Sequence, residues 1–432
     1  MPKSGPTLLR AIGRWSLTAL MINCIIGSGV FGLPAVIPRL VGTAAPLAWI
    51  FAALASALVM ACFAEVASRF EGTGGVYLYT RVAFGRTFGI VVAWIGWLTR
   101  LTAAAANANL FLIYLSEFWP SAKNAVPRLI VLTLLLGLLA AVNYVGVRRG
   151  TLQSNIFTIA KVATLGLFLL AAIGFMIVKR RAPGISVPSG QAGNWLHAVL
   201  LLIFAYGGYE TALMVGGEAK APRRDYPFAL FVALGACAVI YTLTQVVISS
   251  VLPRSLMTDR PLAGAAEHMF GPWAAQLVSI GVLFSTYGYL SANILGFPRI
   301  LFAQAEHHDL PPQFAAVHPR YRTPHLAIVI FTAGLWLFAL MGSFEWNVTV
   351  SAMGRLIYYG SVCAALPLLR GRRDVPEALF RLPWGNLMAL LAVGVSLLLF
   401  PKLDKASAIV LSIIAICVAA NSIWARRHEN LT

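Results

Sequence analysis

Carboxylates are scarce in this chain. Fifteen Asp and Glu stand against 33 Lys and Arg, and charged residues fill only 11% of 432 positions. Inside the apolar stretches acids and histidines are rarer still, so the converging acids, histidines or metal of an integral-membrane enzyme site are not found. The five cysteines, Cys24, Cys62, Cys237, Cys363 and Cys417, lie singly in apolar segments without metal or redox spacing. They read as small buried hydrophobes. The seven histidines show no metal spacing either, and no Ser/His/Asp pattern marks a nucleophile. No strand precedes a phosphate-binding loop, so no ATP-binding domain is expected. No cofactor and no metal is expected, and any uphill work must draw on a gradient.

What the chain has in abundance is apolar surface. It is 59% hydrophobic, which no soluble domain can hide, so the expected class is an all-α polytopic membrane protein. About twelve transmembrane helices are expected, at 15–39, 43–69, 86–118, 126–146, 152–178, 194–218, 226–251, 273–303, 324–341, 346–369, 383–400 and 406–425. The formal charge of +18 is not a nucleic-acid footprint, because the basic residues sit in short loops between these runs. With both termini cytoplasmic, Lys and Arg favour the inside by roughly two to one. Lys179, Arg180 and Arg181 fall on the minority side. Lys3, Arg10 and Arg14 precede an apolar run as in a signal peptide. That run is long, contains Asn23 and lacks a small-residue cleavage site, so it is expected to stay as the first helix.

The first span contains Ile25-Ile26-Gly27-Ser28-Gly29-Val30-Phe31, with Pro34 soon after. A helix in hydrocarbon must satisfy every backbone group internally, so Gly-Ser-Gly at mid-depth argues for a break. One half-helix would then end in free carbonyls and the next begin with free amides, with opposite partial charges of roughly half an elementary charge. A zwitterion fits that polarity: its carboxylate on the amides of Ser28, Gly29 and Val30, its ammonium on the carbonyls near Ile25 and Ile26. The competing reading is a small-residue face for helix packing. Five spans later comes Phe204-Ala205-Tyr206-Gly207-Gly208-Tyr209-Glu210, a second glycine interruption. Paired interruptions in two halves of opposite orientation point to a transporter binding site.

Further phrases follow at defined places: Ala64-Glu65-Val66-Ala67-Ser68-Arg69-Phe70 and Gly72-Thr73-Gly74-Gly75-Val76-Tyr77; Gly217-Glu218-Ala219-Lys220-Ala221-Pro222; Pro298-Arg299-Ile300-Leu301 and Tyr321-Arg322-Thr323-Pro324. On these signatures, from about residue 12 to 425, the sequence resembles the amino acid–polyamine–organocation (APC) family of permeases. The resemblance implies a 5+5 inverted repeat with discontinuous helices 1 and 6, and alternating access around a central site. The chain then divides into a cytoplasmic tail (1–14), a first repeat (15–178), a second repeat (194–369), two peripheral helices (383–425) and a second cytoplasmic tail (426–432).

By the same resemblance, the backbone of Ile25, Ile26, Gly27, Ser28 and Gly29 holds the α-amino and α-carboxylate groups. Phe204 is a gating aromatic and Gly207 a further backbone contact, although an aromatic in an apolar helix is ordinarily packing. Lys161 stands about 15 Å into the fifth span at 1.5 Å per residue. There a charged lysine costs roughly 2.5–3.5 kcal/mol unless it is paired or faces a polar cavity. The resemblance places it where sodium-coupled relatives hold a sodium ion, bridging helices 1 and 8; because desolvation lets a buried lysine lose its proton near neutral pH, carrying the coupled proton is a second expected role. Glu210 is expected to gate or relay a proton, or to make a structural hydrogen bond. Arg100 either faces the cavity, favouring an acidic side chain and repelling polyamines, or pairs with Glu210 or Glu65. Glu65 and Glu218 are expected to pair with the nearby Arg69, Arg223 and Arg224. Asn293 would face the substrate side chain, and Asn107 and Asn109 would bond between helices.

The function expected is a sodium-independent secondary transporter of amino acids, working by proton symport or by exchange of a counter-substrate. It would lie in the bilayer of a bacterial plasma membrane, with no nucleic-acid partner and an undetermined oligomeric state. The alternatives are a polyamine or cationic amino-acid exchanger, which would need acids in the cavity, and an integral-membrane enzyme or receptor.

Overall fold

The computed structural model describes residues 12–71, 74–145, 147–180, 192–214, 219–253, 256–306, 309–321, 323–399, 412, 418, 419 and 421. For 147–160, 192, 193, 299, 303 and 306 it describes the backbone alone. The structure is 84% helical, with no strand among the described residues. A single bridge joins Ile12 to Ala219, where Lys220 N–H donates to the Ile12 carbonyl at 2.9 Å.

The helices are α1 (Arg14–Ile25), α2 (Ser28–Val41), α3 (Ala45–Ala67), α4 (Gly75–Phe84), α5 (Arg86–Leu115), α6 (Ala125–Val145), α7 (Val147–Val178) and α8 (Ala192–Tyr206). They continue with α9 (Tyr209–Ala212), α10 (Pro222–Val251), α11 (Pro261–Phe270), α12 (Pro272–Gly296), α13 (Pro298–Glu306), α14 (His325–Met341), α15 (Phe344–Gly371) and α16 (Gly385–Leu399). Several starts are written in the sequence. Pro222, Pro261 and Pro272 open helices at the position where a missing N–H costs nothing. Ser343 caps α15, its hydroxyl accepting from Trp346 N–H at 3.1 Å. Ser343→Ala is expected to cost about 1 kcal/mol, read as a lower denaturation midpoint in detergent; an unshifted midpoint would remove the cap from the account.

Seven helical stretches among the described residues are long and apolar enough to cross a membrane, and α14 and α16 are shorter apolar helices. The chain is an all-α polytopic membrane protein. The expected spans at 15–178, 226–251, 273–303, 324–341, 346–369 and 383–400 overlap these helices; the sixth, 194–218, falls on α8 and α9, with 215–218 outside the described residues, and the twelfth, 406–425, lies largely outside them.

Burial separates inner from outer helices. The apolar windows of α5 and α15 are each 72% buried, whereas those of α6 and α7 are 22% and 28% buried. Leu134, Leu170 and Ile177 on the outer pair are exposed, as lipid-facing side chains should be. The inner pair packs closely because small residues allow it. Gly354 of α15 faces Thr99 of α5, Gly96 of α5 faces the Tyr358 ring, and Ser351 Oγ donates to the Thr99 carbonyl at 2.9 Å.

Two buried acids tie one end of the bundle together. Glu65 takes a two-pronged contact from Arg370, at 2.7 and 2.6 Å, and the Leu382 N–H at 2.8 Å. Arg69, the neighbour expected from the sequence, is farther at 3.5 Å and donates to the carbonyls of Leu369 and Pro376. The expected pair with Arg69 is present, and a closer partner 305 residues away joins it, because Arg370 presents both prongs of its fork to the carboxylate. Glu218 lies outside the described residues; Arg223 donates to the carbonyls of Ser68 and Glu377.

Asp309 is the second hub. Its side chain is fully buried and meets Arg81 at 3.0 Å, Arg86 at 2.7 Å and the Tyr77 hydroxyl at 2.6 Å. Burial, with the carboxylate beside it, pushes the Tyr77 hydroxyl up to about 12, so it stays a donor. Asp309→Ala is expected to cost about 2 kcal/mol, the scale of a lost charge-assisted hydrogen bond, since the partly exposed arginines can turn to water. Denaturation in detergent checks this, and an unchanged midpoint would show that the arginines need no anion there.

Candidate functional site

Both glycine interruptions are breaks in the helix. α1 ends at Ile25, Ile26 is extended, and α2 begins at Ser28. α8 ends at Tyr206, and α9 begins at Tyr209 after Gly207 and Gly208. The two breaks press against each other, which is why they need glycine. Gly208 has φ +121°, and a side chain there would run into the Cys24 carbonyl. A Cβ on Gly29 would lie 2.7 Å from the Ala205 Cβ.

The carbonyls of Asn23, Ile25 and Ile26 at the end of α1 are already engaged. Lys161 Nζ donates to the carbonyls of Asn23 at 2.9 Å and Ile26 at 2.6 Å. The Tyr241 hydroxyl lies 2.9 Å from the Ile25 carbonyl and 3.3 Å from that of Ala205. A cation at this end meets the negative pole of the helix. At the other end, the first amides of α2 have no partner within their own helix, and Ser28 Oγ is buried with none.

Below the second break, Glu210 gathers three donors. Arg100 Nη2 lies 2.6 Å from its Oε1, while the Tyr359 hydroxyl at 2.9 Å and the Gly208 N–H at 2.8 Å share Oε2. All of these residues are buried. The Arg100 guanidinium also lies over the Phe297 ring at 4.8 Å. Arg355, only 2% exposed, donates to the Phe204 carbonyl at 2.6 Å and covers the Phe204 ring at 5.1 Å. It fills the space that a side chain on Gly207 would need.

Two small hollows lie at this crossing. One of about 10 Å³, room for about one water, lies between Ser28, Asn107, Phe204 and Arg355. The other, about 70 Å³, lies on the α9 side and is lined by Asn23, Lys161, Arg100, Thr211, Ser285 and Asn293 among others. On the α2 side the packing is solid. The Phe344 ring stands against Gly32, and the Tyr114 hydroxyl donates to the Phe31 carbonyl at 2.9 Å. A larger apolar hollow of about 560 Å³ between α7, α11 and α12 is lined by exposed Leu167, Trp273 and Phe284, so it faces the lipid.

A profile of the amino acid permease family matches residues 12–420. The chain belongs to that family. It is a transporter and not an enzyme, and an integral, multi-pass membrane protein. The permease is 26% identical to a methylthioribose transporter of Bacillus subtilis, over 98% of this chain and 95% of the relative. It is 25% identical to a branched-chain amino acid permease of the same organism, over the same shares. A vacuolar cationic amino acid transporter of Arabidopsis thaliana is 27% identical, over 84% of this chain and 64% of the plant protein.

The structure brings most of the sequence-derived candidates together, though in two groups. Gly27, Ser28, Gly29, Phe204 and Gly207 surround the smaller hollow, together with Ile25. Lys161, Arg100 and Asn293 line the larger one. Asn293 is therefore set apart from Ser28; its amide nitrogen donates to the Tyr289 carbonyl at 2.8 Å, and its Oδ1 is buried without a partner. Arg100 takes Glu210 as its partner, one of the two acids expected, and still lines the larger hollow. Among the described residues Lys161 hydrogen-bonds the first segment, with Ser285 and Gly288 of α12 lining the same hollow. Asn109 bonds between elements, to the Gly342 carbonyl and Arg128, whereas Asn107 donates within its own helix at 2.9 Å and lines the smaller hollow.

Sequence reasoning missed Arg355, Tyr241 and Tyr359. Arg355 carried a signal: it is a cation inside an apolar span, as Arg100 and Lys161 are. The two tyrosines carried none, since their role comes from reaching another segment.

Proposed function

We propose that this permease is a sodium-independent secondary transporter of amino acids. It works by alternating access, through proton symport or exchange. The observation that carries this reading is Lys161 Nζ on the carbonyls of Asn23 and Ile26 at the first break. A tethered ammonium already sits at the negative end of α1, where a bound sodium ion would otherwise be needed to neutralise it. The family and the printed names of its relatives supply the substrate class.

In this reading the chain forms two inverted repeats, 15–178 and 194–369, with peripheral helices at 383–425 and tails at 1–14 and 426–432. That makes twelve crossings, with both ends in the cytoplasm of a bacterial cell. The amides of Ser28 and Gly29 receive the α-carboxylate, Gly27 lets the chain turn there, and the carbonyls of Ile25 and Ile26 face the α-amino group. Phe204 closes over the bound molecule beside Gly207. Asn293 lies on the inward path, and Glu210 with Arg100 holds the second break in register. Solid packing on the α2 side and hollows towards α9 match an inward-leaning state.

A cationic or polyamine substrate is less well supported. Lys161, Arg100 and Arg355 surround the crossing, while Glu210 is already engaged by Arg100. The test is uptake of labelled amino acids into proteoliposomes in sodium-free buffer, with and without an inward proton gradient or internal unlabelled amino acid. Accumulation driven by the gradient makes it a symporter, and flux needing internal substrate makes it an exchanger. Flux that appears only with sodium would overturn the reading of Lys161.

A further inference from the structure

We infer that the transported molecule carries a second carboxylate, on its side chain, and that Arg355 is the residue that binds it. The inference rests on the transport reading above and names the substrate class of that same site: acidic amino acids.

The first argument is charge. Among the described residues lining the two hollows, the ionised groups are Lys161, Arg100 and Arg355, and the one carboxylate at the crossing is Glu210. Glu210 is committed to Arg100, the Tyr359 hydroxyl and the Gly208 amide. Lys161 is balanced by helix-end carbonyls. Arg355 lies within electrostatic reach of Glu210 but makes no hydrogen bond to it; its own contacts are a neutral carbonyl and an aromatic face, although it is 2% exposed. Its Nε is buried with no hydrogen-bond partner. A buried guanidinium with no carboxylate hydrogen-bonded to it is a costly group to keep, and a fork of two N–H groups fits a carboxylate side-on.

The second argument is the hydrogen-bonding sense of the cavity. The carbonyls of Asn23, Ile25, Ile26 and Phe204 each already accept a donor from Lys161, Tyr241 or Arg355; the second lone pairs of Ile25 and Ile26 serve the α-amino group, which leaves no acceptor among these for a second cationic group. Donors remain in surplus: the α2 amides, Ser28 Oγ and Arg355 Nε. Two separate donor sets in one cavity suit a molecule with two carboxylates. A neutral side chain would leave Arg355 unpaired, and a cationic one would meet like charge.

The hollow beside Arg355 is about 10 Å³, so binding has to widen it. The guanidinium itself occupies the room next to Gly207. Moving it off the Phe204 carbonyl and onto the incoming carboxylate makes that room and exchanges a neutral partner for a charged one.

The test compares uptake of glutamate, aspartate, glutamine, leucine and lysine by the intact protein in proteoliposomes, with internal unlabelled amino acid. Glutamate or aspartate should exceed glutamine in kcat/KM by about tenfold or more, because a site built to bond a group rejects the analogue lacking it. R355K should keep glutamate uptake with a raised KM, whereas R355Q should invert the preference towards glutamine. A merely structural arginine would lower both rates and leave their ratio alone. If R355Q does not fold, the wild-type ratio decides, together with the melting shift of the purified protein on adding glutamate. Flux of leucine or glutamine without glutamate or aspartate overturns the inference and leaves the transport reading standing. No flux of any amino acid overturns both.

Discussion

Glu210→Ala is expected to destabilise the permease by about 3–5 kcal/mol, the cost of leaving a buried charge without its partner. Arg100 is 4% exposed and lies 2.6 Å from Glu210, so its charge is held away from bulk solvent once the carboxylate is lost. Removing the acid also strips the Tyr359 hydroxyl and the Gly208 amide of their acceptor. These groups hold the second break at a glycine with φ +121°, so the damage falls on the segment that must move. Replacing both members, as in Arg100→Leu with Glu210→Leu, should recover much of the stability, because no charge is then stranded. Denaturation of the purified proteins in detergent gives the comparison. A single variant that melts like the wild type, or a double variant worse than either single one, would sink the account.

Lys161→Ala is the second large effect, and it falls on transport. It removes two charge-assisted hydrogen bonds, each on the scale of about 1.5–3 kcal/mol, from carbonyls at the negative end of a helix. Every 1.4 kcal/mol is a factor of ten, so uptake should fall by about tenfold to a hundredfold if half of that energy holds the productive geometry of the break. Lys161→Arg should not restore it, since a planar fork does not occupy the place of a compact ammonium. Uptake by Lys161→Ala at the wild-type rate, with wild-type pH dependence, would exclude both the structural and the proton-carrying role. Rescue of the variant by sodium would show that the lysine stands in for that ion.

Much of this was legible in the residues themselves, and the physical reason differs from element to element. Long apolar runs had to be helices because hydrocarbon offers the backbone no other partners. Gly-Ser-Gly and Gly207-Gly208 marked both breaks because such close backbone approach tolerates no side chain. Lys161 stood out because a cation at mid-depth needs a reason. These are one-dimensional signals: length, periodicity, and a costly residue in an apolar run.

Pairings between distant segments were another matter. Glu65 has Arg69 four residues away, yet its two-pronged partner is Arg370, brought in by the packing of α15 and the loop before α16. Asn293 was expected to face the substrate side chain, and it lines the larger hollow and not the smaller one beside Ser28. Arg355 could be seen to lie in a span, but not to be covering Phe204 and filling the gap left by Gly207. By itself, then, the sequence determined a helical membrane transporter with two broken helices and three cations at depth, because those features follow from the solvent and the backbone. The tertiary structure decided which cation each carbonyl and carboxylate receives, because that depends on where helices hundreds of residues apart come to rest against one another.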